Sequence, residues 1–304
     1  MLKKLILSTA ALAVTFAGAP AFAQAAPAPA AATATTEANP ALWVLKDDDT
    51  TIYLFGTVHA LKPGLSWFDS AVRQAFDKSD QLVLEMVEPA PADLQAIVMP
   101  MALNPAGPTI TSQLPENKRA AYAAAVVGLG APATALDNFD PWFAAIALTA
   151  GSLPKFGYDP NQGVEKVLTA AAKEAGKPIA GLETAAEQLG FLDRLPMDVQ
   201  IRYLVSTVDQ LPKTGEMLDK MVGVWAKGDP DALAALMNEG MREVPEVGNA
   251  LLTQRNANWV EWIAKRMDQP GTIFIAVGAG HLAGSDSVQA MLAKKNLKVV
   301  RVEY

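Results

Sequence analysis

The sequence predicts an α/β protein with a mixed, mostly parallel central sheet that is wrapped by helices. Short apolar segments without polar alternation, which are typical of buried strands, are separated by amphipathic helical segments. A unit of strand, Gly-x-x-His, helix and strand occurs near each end of the chain. Between these two units, helical periodicity interrupted by Pro and Gly predicts a helical cap over the sheet.

The first unit begins with a predicted β-hairpin that has an acidic tip. Its second strand leads directly into Gly56-Thr57-Val58-His59, and an amphipathic helix and a buried strand follow. In chain order the predicted elements are strand 42–45, turn 47–49, strand 52–55, helix 67–78 and strand 81–85.

The second unit repeats this order at the C-terminus. A buried strand over 272–277 ends in Gly278-Ala279-Gly280-His281. A helix over 286–294 and a strand over 297–302 complete the unit.

The middle of the chain adds a third strand candidate and the cap. We expect a helix over 163–175 and a strand over 177–183. Thr184 and Glu187 have the spacing of a capping box, which predicts that a new helix begins there. The remaining helical segments, expected to cover the sheet within the same domain, are 92–149 and 188–267.

Residues 1–23 have the features of a secretory signal peptide. Lys3 and Lys4 precede an apolar stretch, and Ala21 and Ala23 form an Ala-x-Ala cleavage site before Gln24. Residues 24–40 are rich in Ala, Pro and Thr, so we expect a disordered tether. The folded part is then a single domain over 41–304, and the mature protein is expected in the periplasm or secreted.

Composition excludes several functional classes. The chain has no Cys, which rules out disulfides, thiolate metal sites and a Cys nucleophile. It has 25 Lys and Arg against 32 Asp and Glu, so no basic surface for nucleic acid is expected. After the signal peptide no apolar segment is long enough to span a membrane. The expected partner is therefore a peptide or a small molecule.

Four titratable side chains end apolar strands, and both His residues of the chain are among them. His59 and His281 follow a Gly at the same spacing, and Glu85 and Glu183 end the other two buried strands. Ligands bind at the carboxyl edge of a parallel sheet, so we expect these side chains to meet there. A single His in this position is usually structural, but two in equivalent contexts favour one shared site. Arg255 is a candidate to bind a substrate carboxylate.

Two His residues and a Glu are a common ligand set for a catalytic divalent metal. We expect His59, His281 and Glu85 to bind Zn, Mn or Co and to activate water, with the base left open between Glu85 and Glu183. In a metal-free alternative one His is the general base and a Glu fixes its tautomer. The His-Glu-x-x-His, Gly-x-Ser-x-Gly and P-loop motifs are absent from the sequence.

Several segments resemble the TraB/GumN (TraB/PrgY/GumN) family over about residues 41–304. The matching segments are Ile-Tyr-Leu-Phe-Gly-Thr-Val-His59, Leu-Val-Leu-Glu85, Gly-Lys-Pro-Ile-Ala-Gly-Leu-Glu183-Thr, Gln-Arg255-Asn and Ala-Val-Gly-Ala-Gly-His281-Leu-Ala-Gly. The resemblance implies a relation to the Tiki metalloproteases and to the erythromycin-esterase-like and ChaN-like fold group. It also implies a mixed sheet wrapped by helices and a site at His59, Glu85 and His281.

The leading hypothesis is an exported metal-dependent hydrolase, with a peptidase as one form of it. The competing hypothesis is a periplasmic binding protein without turnover, for haem, a metal or a peptide. A third hypothesis is an accessory protein for polysaccharide export. The sequence leaves the substrate and the oligomeric state open.

Cleavage of the signal peptide gives the first testable prediction. Because the Ala-x-Ala site precedes Gln24, mass spectrometry of protein from the native cell envelope should show Gln24 as the first residue. An intact Met1 in a cytosolic fraction would contradict export.

Overall fold

The computed structural model describes residues 35–303 and confirms the predicted α/β class. The expected signal peptide and residues 24–34 of the expected tether lie outside the described residues. No helix within residues 35–303 combines the length and the apolar character needed to cross a bilayer.

The strands fall into one large sheet and one short pair. In chain order they are β1 (Thr36–Glu37), β2 (Leu42–Lys46), β3 (Thr50–Thr57), β4 (Leu65–Ser66), β5 (Gln81–Leu84), β6 (Ile179–Gly181), β7 (Gly271–Gly278) and β8 (Val299–Arg301). The six-stranded sheet has the order β6-β5-β7-β3-β2-β8, and β1 pairs with β4. Within the large sheet β2 alone runs antiparallel to its neighbours. The predicted mixed, mostly parallel sheet is therefore confirmed.

The two Gly-x-x-His strands are neighbours in this sheet. β3 and β7 pair in parallel over their whole lengths, so Gly56 lies opposite Val277 and Thr57 opposite Gly278. Each strand is buried along most of its length because apolar side chains face helices on both sides. This pairing brings the two motifs to one sheet edge, although they are far apart in sequence.

Helices cover both faces of the sheet and form the cap. The α-helices are α1 (Ser70–Lys78), α2 (Pro91–Ala102), α3 (Ile110–Gln113), α4 (Glu116–Gly128), α5 (Pro141–Ser152), α6 (Val164–Glu174), α7 (Ala185–Asp193), α8 (Met197–Gln210), α9 (Thr214–Ala226), α10 (Pro230–Met241), α11 (Pro245–Gly248), α12 (Gln254–Arg266) and α13 (Val288–Lys294). The 3₁₀-helices are Leu153–Phe156, Pro160–Gln162, Leu211–Lys213 and Ala279–Leu282, and a π-helical segment, Asn249–Thr253, leads into α12.

Three apolar cores stabilise this arrangement. On one face of the sheet Phe55 and Phe274 pack with side chains of α1 and α6. On the other face Ile275 packs with side chains of α12 and α13. The third core lies within the cap, where Trp142 and Leu148 of α5 are fully buried. The sheet and the cap thus each bury apolar surface of their own.

Most predicted elements are present with changed bounds: β2, β3 and β7 are longer than predicted, whereas the other predicted strands and α1, α6 and α13 are shorter. The hairpin of β2 and β3 and the capping box of Thr184 and Glu187 are both found. The strand predicted over 177–183 is limited to three residues because β6 is an edge strand that pairs only along β5. The last helix begins at Val288 rather than residue 286, because the Ser287 hydroxyl accepts the Ala290 N–H and caps it.

The C-terminal end of the expected tether, residues 35–40, needs a correction. Thr36–Glu37 form a strand with Leu65–Ser66, and Ala38 is buried. The Ala38 N–H donates to Ser66 O at 2.8 Å, and the Asn39 N–H donates to Ala226 O at 2.8 Å. Backbone pairing therefore orders a segment whose composition alone predicted disorder.

Candidate active site

The four titratable residues predicted at strand ends come together at one sheet edge. Glu85 directly follows β5, Glu183 follows β6 by two residues, and His59 follows β3 by two. His281 lies in the 3₁₀-helix after β7. These strands run parallel, so their carboxyl ends meet at the same edge.

Gly278 lies at the centre of this group. A methyl group on Gly278 would lie 3.0 Å from Glu85 Oε1 and 3.6 Å from both His59 Nε2 and His281 Cδ2. The two imidazoles are therefore close enough to act on one substrate group. The Gly278 N–H donates to Glu85 Oε1 at 2.6 Å. Lack of a side chain at Gly278 lets three functional groups gather around its backbone.

Arg255, in the first turn of α12, connects the members of the site. Its Nη2 donates to Glu85 Oε2 at 2.5 Å, and its Nε donates to Glu183 Oε2 at 3.0 Å. Its Nη1 donates to Leu251 O and to His281 Nε2, both at 3.1 Å. The guanidinium also lies 4.8 Å from the centre of the Trp259 ring. A single buried cation thus contacts both carboxylates and one imidazole.

The two glutamates differ in environment. Burial raises the pKa of Glu85, but Arg255, the two imidazoles and the Gly278 N–H together outweigh burial and hold this pKa well below its usual range. Burial raises the pKa of Glu183 to about 7, with Arg255 opposing and the Glu85 charge adding to the rise. Glu85 lines the cavity described below, whereas Glu183 lies behind Arg255 and accepts the Trp259 N–H at 2.8 Å. Glu183 is placed to position Arg255.

His281 is held in one neutral tautomer. Asn256 Nδ2 donates to Asp286 O at 2.7 Å, so Asn256 Oδ1 points to His281 Nδ1, at 2.6 Å, and accepts its hydrogen. The Nε2 lone pair then accepts from Arg255. Burial, followed by the Arg255 charge, lowers the pKa of His281 to about 3, although Glu85 opposes.

His59 has the opposite electrostatic environment. Its Nδ1 lies 2.6 Å from Glu165 Oε1, and the Thr57 hydroxyl also donates to that carboxylate. The Glu165 charge and its hydrogen bond raise the pKa of His59 to about 9, and the Glu85 charge adds to the rise. The His59 side chain is 49% exposed, and it lines the cavity. His59 is therefore the cationic imidazole of the pair at neutral pH.

The sequence did not reveal Glu165, Asn256 or Gln188 as site residues. Glu165 has the pattern of an acidic side chain in the first turn of a helix, which is common without any function. The Gly at position 163, just before the helix, is the one sequence feature that could have pointed to Glu165, because the structure has no room for a methyl group between Gly163 and His59 O. That close approach lets α6 begin against the first Gly-x-x-His motif.

A cavity of about 810 Å³ lies between this sheet edge and the cap. Its polar floor includes His59, Glu85, Glu165, Arg255 and His281. Its size is in the usual range for small-molecule sites. The arrangement places acid–base groups where a substrate of substantial size can reach them.

The predicted metal ligands do not fit a divalent ion as they are arranged. Glu85 and His281 both accept hydrogen bonds from Arg255, so the guanidinium occupies the lone pairs that a metal would need. Among residues 35–303 no group of three or more His, Asp and Glu residues is placed to hold a metal ion. Metal binding by His59, His281 and Glu85 stays a prediction from the sequence.

Fold and site together define an α/β protein with a His, Glu and Arg cluster at the carboxyl edge of its sheet, beneath a helical cap. The chain belongs to the TraB/PrgY/gumN family, which it matches over residues 41–301.

Two relatives cover most of the chain. Uncharacterized protein YbaP of Escherichia coli (strain K12) is 24% identical over 257 residues, which are 83% of this chain and 92% of the relative. An uncharacterized protein of Treponema pallidum (strain Nichols) is 22% identical over 277 residues, which are 84% of this chain and 80% of the relative. No solved structure matches the chain.

Metal reloading tests the predicted ligand set. Metal-free protein is incubated with Zn, Mn or Co and then dialysed. Because an ion would have to displace Arg255, we expect the protein to retain well under one equivalent of the metal. Elemental analysis of untagged protein measures the stoichiometry. About one ion per chain that is lost in both His59→Ala and His281→Ala would contradict this expectation and support the metal site.

The two His residues should titrate far apart. In NMR spectra of the imidazoles we expect one pKa near 9 for His59 and one near 3 for His281. Glu165→Gln should lower the pKa of His59 toward 6.5, because Glu165 causes most of the rise. Since the folded pKa of His59 exceeds its unfolded value, its stabilising contribution is complete below about pH 6.5 and is lost as pH rises through about 9.

Glu88→Gln is the matched control for this titration. Glu88 pairs with Lys166 at the cavity and is not among the groups that shift His59. An unchanged His59 titration in Glu165→Gln, or an equal change in Glu88→Gln, would contradict the assignment.

Proposed function

We propose that the protein is a hydrolase in which His59 activates water at the polar floor of the cavity. The observation that carries the proposal is the His59–Glu165 pair, with Nδ1 held by the carboxylate and Nε2 near Gly278, Glu85 and His281. An imidazole oriented by a carboxylate is a general base or acid that needs neither a metal nor a nucleophilic side chain.

The proton transfers follow from this orientation. Neutral His59 accepts a proton from water at Nε2 while the water oxygen bonds to the substrate's acyl carbon. The imidazolium then returns this proton to the leaving group as the scissile bond breaks. One water is consumed for each bond, and Glu165 stabilises the imidazolium between the two transfers.

Arg255 supplies the positive charge for the developing oxyanion. Four of its N–H groups have the partners described above, and the second Nη2 hydrogen has no acceptor among residues 35–303. Arg255 lines the cavity, and we infer that this hydrogen donates to a substrate oxygen there. Ionised Glu85 holds the guanidinium in place, and Gln188 donates to the same Glu85 oxygen at 2.9 Å. Neutral His281 adds no second charge beside Arg255.

This proposal keeps the hydrolase expected from the sequence but assigns the base to His59. The low pKa of Glu85 makes it a weak base, and Glu183 does not line the cavity. Export, to the periplasm or out of the cell, remains part of the proposal, since the expected signal peptide lies outside the described residues.

The pH dependence of turnover tests the role of His59. If neutral His59 is the base, kcat/KM for p-nitrophenyl esters and a fluorogenic peptide library should rise with pH and level off above about 9. His59→Ala should lower kcat by about a hundredfold or more, and Glu165→Gln should move the profile to lower pH.

Glu88→Gln should leave this profile unchanged. Full turnover in His59→Ala would contradict the proposal. Ligand binding by the wild type without turnover of any substrate would instead support the binding-protein hypothesis.

A further inference from the structure

The cavity has walls of two different chemistries. The sheet edge and α6 contribute most of its polar groups, including Glu165, Lys166 and Lys173. The cap contributes mainly aliphatic and thioether side chains, among them Ile146, Leu153, Leu218, Met221, Leu233 and Met237. A ligand that fills the cavity therefore has a polar end at the sheet and an apolar body against the cap.

The cap offers a ligand almost no hydrogen bonds. Gln188 donates to Glu85, and four of the five N–H groups of Arg255 have protein partners, which leaves one for the polar end of a ligand. The Trp225 indole N–H donates to Gly56 O at 2.8 Å, so it is already used. Among residues 35–303, Tyr203 adds the one other polar group on the cap side chains that line the cavity. An unpaired buried amide is unfavourable, so this wall disfavours a peptide backbone.

An aliphatic chain has no polar groups to leave unpaired. Met221 and Met237 are unbranched and adapt their shape to a flexible chain. Aromatic rings are scarce on this wall, where Trp225 and Tyr203 are the two aromatic side chains that the described part of the chain places at the cavity. These features suit a chain of methylenes better than a planar aromatic ligand.

We propose that the substrate carries a single long acyl chain, which lies against the cap while its carbonyl carbon lies beside His59 and Arg255. This inference rests on the proposed hydrolase, whose acyl group it specifies. It predicts that a fatty carboxylate, the product of such a reaction, binds in the cavity without turnover.

Calorimetric titration with butanoate, hexanoate, octanoate, decanoate and dodecanoate tests the inference on the full wild-type chain. Each added methylene should tighten binding about fourfold until the cavity is full, with concentrations kept below micelle formation. Met221→Gln should weaken dodecanoate binding roughly tenfold, because it places an amide against the chain. Met197→Gln makes the same change at a position that is 39% exposed and outside the cavity, so it should have no effect.

Two results would overturn the acyl site. One is an affinity that does not change with chain length or that falls equally in the two Met variants. The other is tighter binding of a blocked leucine peptide than of dodecanoate, which would assign the cavity to an apolar peptide.

Hydrolysis of two esters, p-nitrophenyl acetate and p-nitrophenyl dodecanoate, separates this inference from the proposed function. Chain-length-dependent binding of carboxylates without hydrolysis of either ester would overturn the hydrolase and leave the acyl site. Equal hydrolysis of both esters, without chain-length-dependent binding, would overturn the acyl site and leave the hydrolase.

Discussion

The guanidinium of Arg255 is the interaction on which the whole site depends. It is buried between Glu85 and Glu183 and donates hydrogen bonds to both. Without it, two buried carboxylates would repel each other, and the loss of one partner of such a buried group typically costs about 3–5 kcal/mol. This one side chain connects the end of β5, the end of β6 and the start of α12. It also occupies the position that the sequence assigned to a metal.

The two Gly-x-x-His motifs are equivalent in sequence and opposite in chemistry. Glu165 keeps His59 protonated at neutral pH, whereas Arg255 and burial keep His281 neutral. Two titratable groups whose pKa values are pushed apart are typical of acid–base sites. The difference arises outside the motifs, from α6 at one imidazole and α12 at the other.

The sheet and the cap contribute different parts of the site. The parallel strands deliver the charged groups to one edge, since each strand ends there with its polar residue. The cap closes over them with apolar helices and sets the space above the reacting groups. Family membership leaves the substrate open, because function depends on the site rather than the fold. The lining of the cavity is therefore the best guide to the substrate.

Local pattern was sufficient for much of the fold and for half of the site. The hairpin, the buried strands, the capping box at Thr184 and the strand-end residues His59, Glu85 and His281 follow from spacing within a few residues. Arg255 was a candidate, but its contacts with two carboxylates were not visible in the sequence.

Tertiary packing decided the rest, because the partners of each functional group are distant in the chain. Glu165 reaches His59 only because Gly163 lets α6 begin against the first motif. Asn256 selects the His281 tautomer from a helix that no local pattern connects to β7. Protonation states and the position of the cation depend on such contacts, since a pKa is set by the charges and burial around a group. Periodicity and motif spacing in the sequence describe neither the charges nor the burial around a group.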